Sequence, residues 1–177
     1  ERDAMNVAGM GFLPIWLNSE TAALSDKDFY DLLRMADKVY NVPDIDDTGL
    51  RASAQLALRF LELYTVELPQ WLRSYKDNRG KGRKDLRDFL ELRPANAEFN
   101  KLLNTAKQCK FWNIIVSEKG NRTEIKTTSL LYYLRLNGFY KIKDKVTNQM
   151  RYIRVSGYKV EEYEPKRIRD FIKTDLQ

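Results

Sequence analysis

The chain contains no histidine and a single cysteine, Cys109, among its 177 residues. Without histidine there is no imidazole to act as general base, general acid or metal ligand. One thiol forms no internal disulfide and cannot build a thiolate metal site alone, so a reducing, cytoplasmic compartment is the expectation. No apolar run approaches the roughly 20 residues of a membrane span, and the start shows no secretory pattern. The G-x-x-x-x-G-K-[ST] loop of P-loop ATPases is missing. There is no internal repeat and no low-complexity segment. What remains for holding a metal is oxygen, which favours the hard cations Mg²⁺, Mn²⁺ or Ca²⁺.

Against these absences stand a hydrophobic content of 43% and an aromatic content of 12%, enough for a folded core. The net charge of +6 is unevenly spread: residues 98–177 hold 17 Lys+Arg and 9 Asp+Glu, net +8, and residues 1–97 hold 14 and 16, net −2. That split suggests two units, 1–94 and 95–177, with Pro94 at the boundary and a polyanion as the partner of the second.

Ala4, Met5, Val7 and Ala8 read as the end of a helix, punctuated by Gly9 and Gly11. "FLPIWLN" (12–18) reads as a short buried strand. Ser25 is a candidate N-cap, with Asp28 three residues on, for a helix patterned by Phe29, Leu32, Leu33 and Ala36. "KVYNV" is a second strand. Gly49 opens a helix whose stripe is Leu50, Ala54, Leu58 and Leu61, and "TVELP" is a third strand. Strands and helices alternating at short spacing predict an α/β fold with a parallel sheet, and ligands in such sheets sit at the carboxyl ends of strands. Beyond Pro94 a helix, a strand "FWNIIVS", a helix ended by Gly138, a hairpin of "FYKIK" and "RYIRV", a strand "YKVEEY" and a helix from Pro165 form a small basic α+β module of winged-helix-like order.

The segment "VYNVPDIDDTG" (39–49) places Asp44, Asp46 and Asp47 directly behind a strand. Alternation along an extended chain points Asp44 and Asp46 the same way, where they repel unless a cation lies between them. Capping of the following helix by Asp46 or Asp47 is the other reading. Residues 73–87 add seven basic side chains, Arg73, Lys76, Arg79, Lys81, Arg83, Lys84 and Arg87, around Gly80 and Gly82. They form either a phosphate-contacting loop or a solvated one.

The block "PDIDDTGLRASAQLALRFLELYTVELP" resembles the centre of Toprim domains, found in bacterial-type primases, topoisomerases and some nucleases. There a strand ends in D-x-D-x-x-G, and a helix and a strand ending near Leu-Pro follow. "RKDLRDFLEL" (83–92) is similar to the family's last acidic motif, and the opening segment to the region around its glutamate. The resemblance spans residues 1–92. It implies Asp44, Asp46 and Asp85 as catalytic metal ligands, Asp3 as a supporting acid at the same metal and Asp88 as a weaker candidate. By its spacing the family's glutamate would precede Glu1, so a longer protein is expected, and the activity of this chain alone stays open.

The activity so implied is that of a DNA primase: Mg²⁺- or Mn²⁺-dependent, template-directed nucleotidyl transfer from nucleoside triphosphates on DNA. Toprim nuclease activity and a non-catalytic nucleic-acid-binding role are the alternatives. Arg79, Lys81, Arg83 and Lys84 are the candidate nucleotide contacts of the first unit, and Lys141, Lys143, Arg151 and Arg154, interleaved with Tyr140 and Tyr152, the nucleic-acid contacts of the second. Residues 95–177 are faintly similar to the segment that joins primase to helicase in phage and mobile-element replication proteins, which implies a helicase domain in the same full-length protein.

Overall fold

Ser25 starts the second helix as its neighbours dictate. Its hydroxyl accepts the Asp28 N–H at 3.1 Å and donates to Asp28 Oδ2 at 2.6 Å, satisfying an end that the helix cannot satisfy itself. This is seen in a computed structural model, which describes residues 2–16, 23–118 and 120–175. The described residues form a mixed α/β structure of seven α-helices and three small sheets, in two compact units, Glu1–Lys110 and Phe111–Gln177.

The first unit runs α1 (Arg2–Gly9), α2 (Asp26–Met35), β1 (Tyr40–Asn41), α3 (Asp47–Arg59), β2 (Tyr64–Thr65), a 3₁₀ turn (Gln70–Ser74), α4 (Leu86–Leu92) and α5 (Asn96–Asn104). β1 and β2 pair in parallel, Tyr40 with Tyr64 and Asn41 with Thr65, joined through α3. The expected parallel sheet is therefore two-stranded among the described residues. The strand expected at 12–18 does not form over 12–16, where Leu13, Ile15 and Trp16 are exposed. Pro14 lacks the N–H that a sheet ladder needs, and Phe12 instead lays its ring edge-on to Phe99 at 5.6 Å. Residues 17 and 18 lie outside the described residues.

Two apolar clusters hold this unit. Phe29 of α2 stacks on Phe60 at 4.2 Å, with Leu63 beneath. Ile45, Leu68, Leu72, Leu86, Phe89 and Phe99 form the second cluster. Phe99 lies on α5, so the first unit extends past Pro94 to Lys110. The buried side of α3 is Gly49, Ser53 and Ala57 rather than the larger residues one position on, and Leu50 is exposed. Small residues let the helix approach β1 closely, and Asn41 Nδ2 donates to Ser53 Oγ at 2.9 Å across the gap. Drawn at the observed boundary, residues 1–110 hold 17 basic and 17 acidic residues, and residues 111–177 hold 14 and 8, which is the whole net charge of +6.

The second unit runs β3 (Trp112–Ser117), β4 (Gly120–Ile125), α6 (Thr127–Leu136), β5 (Phe139–Lys143), β6 (Met150–Ser156), β7 (Lys159–Tyr163) and α7 (Pro165–Asp175). β3 and β4 form a hairpin, and β5, β6 and β7 an antiparallel sheet in that order. Gly138 ends α6 at φ +81, and a Cβ there would lie 2.1 Å from the Val155 carbonyl oxygen. β4 had no counterpart in the sequence reading, since "GNRTEI" carries no apolar alternation. No helix among the described residues is long and apolar enough to cross a membrane.

Candidate metal centre

The geometry of the D-x-D segment starts from Ile45. Its side chain is buried in the second apolar cluster, its N–H donates to the Lys84 carbonyl at 2.9 Å, and its own carbonyl accepts from the Arg73 guanidinium. With Ile45 pinned inward, the extended backbone turns Asp44 and Asp46 the other way together. Gly49 closes the arrangement. A Cβ there would stand 2.6 Å from the Asp44 carbonyl oxygen, so only glycine lets the first turn of α3 pass under Asp44.

Both carboxylates meet a cation, and it belongs to the chain. Lys84 Nζ lies 2.9 Å from Asp44 Oδ2 and 2.6 Å from Asp46 Oδ2. The second oxygen of Asp46, Oδ1, accepts the Gly49 N–H at 2.8 Å, so Asp46 is also the N-cap of α3. That cap, then the Lys84 ammonium, holds the Asp46 carboxyl below the usual carboxylate range. Asp46 and Asp44 together push the Lys84 ammonium well above the usual lysine range. Asp46 thus caps a helix, as one of the two readings has it, and turns its other oxygen to the Lys84 ammonium. Asp47 is exposed in the first turn.

The remaining acids gather at the start of α4. Asp85 is its N-cap, accepting the Asp88 N–H at 2.8 Å, and Asp88 answers the Asp85 N–H at 3.4 Å in a capping box. Asp88 Oδ2 also accepts the Lys84 N–H at 2.8 Å. Asp3, from α1, accepts the Arg87 N–H at 3.0 Å. Burial raises the carboxyls of Asp3 and Asp85, opposed by those backbone N–H groups. Repulsion from Asp44 and Asp88 adds to the rise at both. Asp3, Asp44 and Asp85 are thus close enough to repel one another, and Asp46 joins Asp44 through Lys84. Among the described residues, however, no three Asp, Glu or Cys side chains are close enough to hold a metal ion together. The two oxygens that converge on Lys84 Nζ, Asp44 Oδ2 and Asp46 Oδ2, are carboxylate donors, the type that hard cations take. Mg²⁺ is commonly held by one or two carboxylates, with water and phosphate completing its shell.

The basic loop divides into spent and exposed charge. Arg83 turns back on α4, at 2.6 Å from Glu91 and 3.4 Å from Asp88, and Lys84 lies between the acids. Residues 76–82 form a small turn closed by the Lys76–Gly82 bridge, in which Asp77 Oδ1 accepts the N–H groups of Arg79 and Lys81 at 2.9 and 2.8 Å. The Arg79 and Lys81 side chains are exposed at its tip.

In the second unit, Arg154 packs over the rings of Phe139 and Phe171 at 5.2 and 4.6 Å and donates to the Asn137 carbonyl at 3.2 Å. Arg151 pairs with Asp144 at 2.9 Å and Glu162 at 3.3 Å. Lys141 lies over Tyr152 at 5.8 Å, and Lys143 is exposed. Two of the four expected contacts are thus held by the fold: a guanidinium between two rings gains cation–π attraction it would lose in water. On α7, helical periodicity sets Ile168, Phe171 and Ile172 on one side and the exposed Lys166, Arg169 and Lys173, with one acid, Asp170, among them, on the other. The sequence reading missed this basic stripe, although its i, i+3, i+7 spacing is visible in "PKRIRDFIK".

Compared with known proteins, the chain matches no family model, no curated protein and no solved structure. The site must be read from its own geometry.

Proposed function

We propose that this chain is part of a Toprim-like DNA primase, in which Asp44 and Asp46 hold a divalent ion for template-directed nucleotidyl transfer from nucleoside triphosphates. One observation supports the reading above the rest: two carboxylates behind a parallel strand converge on a single cation position, over a glycine whose Cβ would meet the Asp44 carbonyl oxygen. Bound there, Mg²⁺ or Mn²⁺ supplies charge stabilisation to the attacking 3′-hydroxyl and the leaving phosphate oxygens. The chain's residues have separable tasks. Ile45 and Gly49 aim the carboxylates, and Asp3 and Asp85 place further negative charge beside them. Arg79 and Lys81 offer exposed charge to a triphosphate, and the α7 stripe offers it to a nucleic-acid backbone.

Calorimetric titration of Mn²⁺ into the chain and into an Asp44→Asn/Asp46→Asn variant tests the metal, and primer synthesis on single-stranded DNA tests the reaction. Binding lost in the variant, with nucleotide incorporation, supports the reading. DNA cleavage without incorporation replaces primase by nuclease. A second reading, a non-catalytic nucleic-acid-binding module, is favoured by the helix-capping roles of Asp46 and Asp85. DNA binding indifferent to EDTA and to the double substitution selects it.

A further inference from the structure

We infer that Lys84 is the resident cation of the Asp44–Asp46 pair and gates it: its ammonium must withdraw before a divalent ion can enter. The inference rests on the metal reading above and adds how that site is controlled. Nζ lies 2.9 Å from Asp44 Oδ2 and 2.6 Å from Asp46 Oδ2, so it occupies the point where the two carboxylates converge. Asp46 Oδ1 already accepts the Gly49 N–H, so Oδ2 is the oxygen that Asp46 turns to the cation. A Mg²⁺ ion sits about 2.0–2.1 Å from its carboxylate oxygens. An ammonium already bonded to the same two oxygens excludes it by volume and by like charge.

The backbone of Lys84 cannot move aside. Its N–H is held by Asp88 Oδ2 at 2.8 Å and its carbonyl by Ile45 N–H at 2.9 Å. Its side chain is 45% exposed, which leaves the four-carbon stem open to solvent. A backbone held at both its N–H and its carbonyl, carrying a solvent-exposed side chain, is the geometry of a gate. The pair is too exposed for its ion pairs to contribute much stability, so opening is easily reached when a divalent ion competes.

The test is Mn²⁺ calorimetry on the 177-residue chain, wild type, K84M and K84R. Methionine keeps the apolar stem and removes the charge, and arginine keeps the charge. K84M is expected to bind Mn²⁺ about tenfold more tightly than wild type, in line with the modest strength of a partly exposed ion pair. K84R is expected to stay with wild type. Adding Asp44→Asn/Asp46→Asn to K84M should abolish the gain. Thermal melting against Mn²⁺ concentration gives a second readout, and K84Q replaces K84M should the latter fold poorly. Equal affinity in wild type and K84M overturns the gate and leaves the metal reading standing. No Mn²⁺ binding in either overturns both. Tighter binding by K84M that survives loss of both aspartates overturns the gate, since the ion then lies elsewhere. Tighter binding that needs both aspartates, without primer synthesis, upholds the gate and removes the primase reading.

Discussion

In the first unit the basic side chains nearest the D-x-D segment turn inward. Lys84 lies between Asp44 and Asp46, Arg83 is folded onto α4, and Arg73 reaches the Ile45 carbonyl. In the second unit Arg154 and Arg151 are likewise engaged, yet α7 keeps Lys166, Arg169 and Lys173 on its exposed side. Seventeen positive charges balance seventeen negative ones in residues 1–110, and the excess of +6 lies entirely in residues 111–177. The contrast teaches that density of charge along a chain is not availability. A basic residue close to a folded acid cluster is consumed by it, and one on the far side of an amphipathic helix stays exposed.

The contrast can be broken most severely beneath the acids. Phe89→Ala removes a buried ring from the cluster that holds Ile45 and should cost about 3–5 kcal/mol in urea unfolding. Gly49→Ala should cost about 1–3 kcal/mol, as an overpacked contact does, because its methyl meets the Asp44 carbonyl oxygen. It should also weaken Mn²⁺ binding by displacing Asp44. Asp46→Ala should lose about 1 kcal/mol of cap stability, and Asp46→Asn only a few tenths, since asparagine caps as well.

Acid sharpens the same comparison. The Asp46 carboxyl is depressed in the fold, so its contribution is complete above the unfolded value of about 3.9 and is lost as pH falls through the folded one. Asp3 and Asp85 are raised and act oppositely, since protonation relieves their burial. Urea midpoints measured from pH 6 downward should therefore fall less steeply in Asp46→Asn than in wild type.

Charge reversal of Lys166, Arg169 and Lys173 should leave stability within about 0.5 kcal/mol. It should reduce the slope of log affinity for DNA against log salt by up to about 3, near one unit per lost phosphate contact. The same reversal at Arg79 and Lys81 tests whether the first unit contributes any contact of its own.

Much of this was legible in local pattern. The shared direction of Asp44 and Asp46 follows from alternation in an extended chain, and Ser25 marked a helix end through its hydroxyl, Pro165 and Gly138 through their backbone chemistry. Long-range contacts were not legible. Lys84 meets the acids because Ile45 N–H binds its carbonyl, a link across 39 residues that no local pattern records. The inner side of α3 was misplaced by one residue, because hydrophobic size was read where close approach selects Gly49, Ser53 and Ala57. The strand at 12–18 was expected from apolarity, and Pro14 weighed against it. Asp85 was read as a ligand, and its capping-box geometry with Asp88 was not recognised.

Cys109 has so far entered only as an absence of partners. It is wholly buried in the first unit, and burial pushes its thiol up to about 12. As the sole sulfhydryl, it reacts with a disulfide reagent only while its surroundings are open. The rate of labelling is thus a built-in clock for breathing of the unit that carries the acids, readable in wild type, in K84M and with Mn²⁺ present, without any cysteine being introduced.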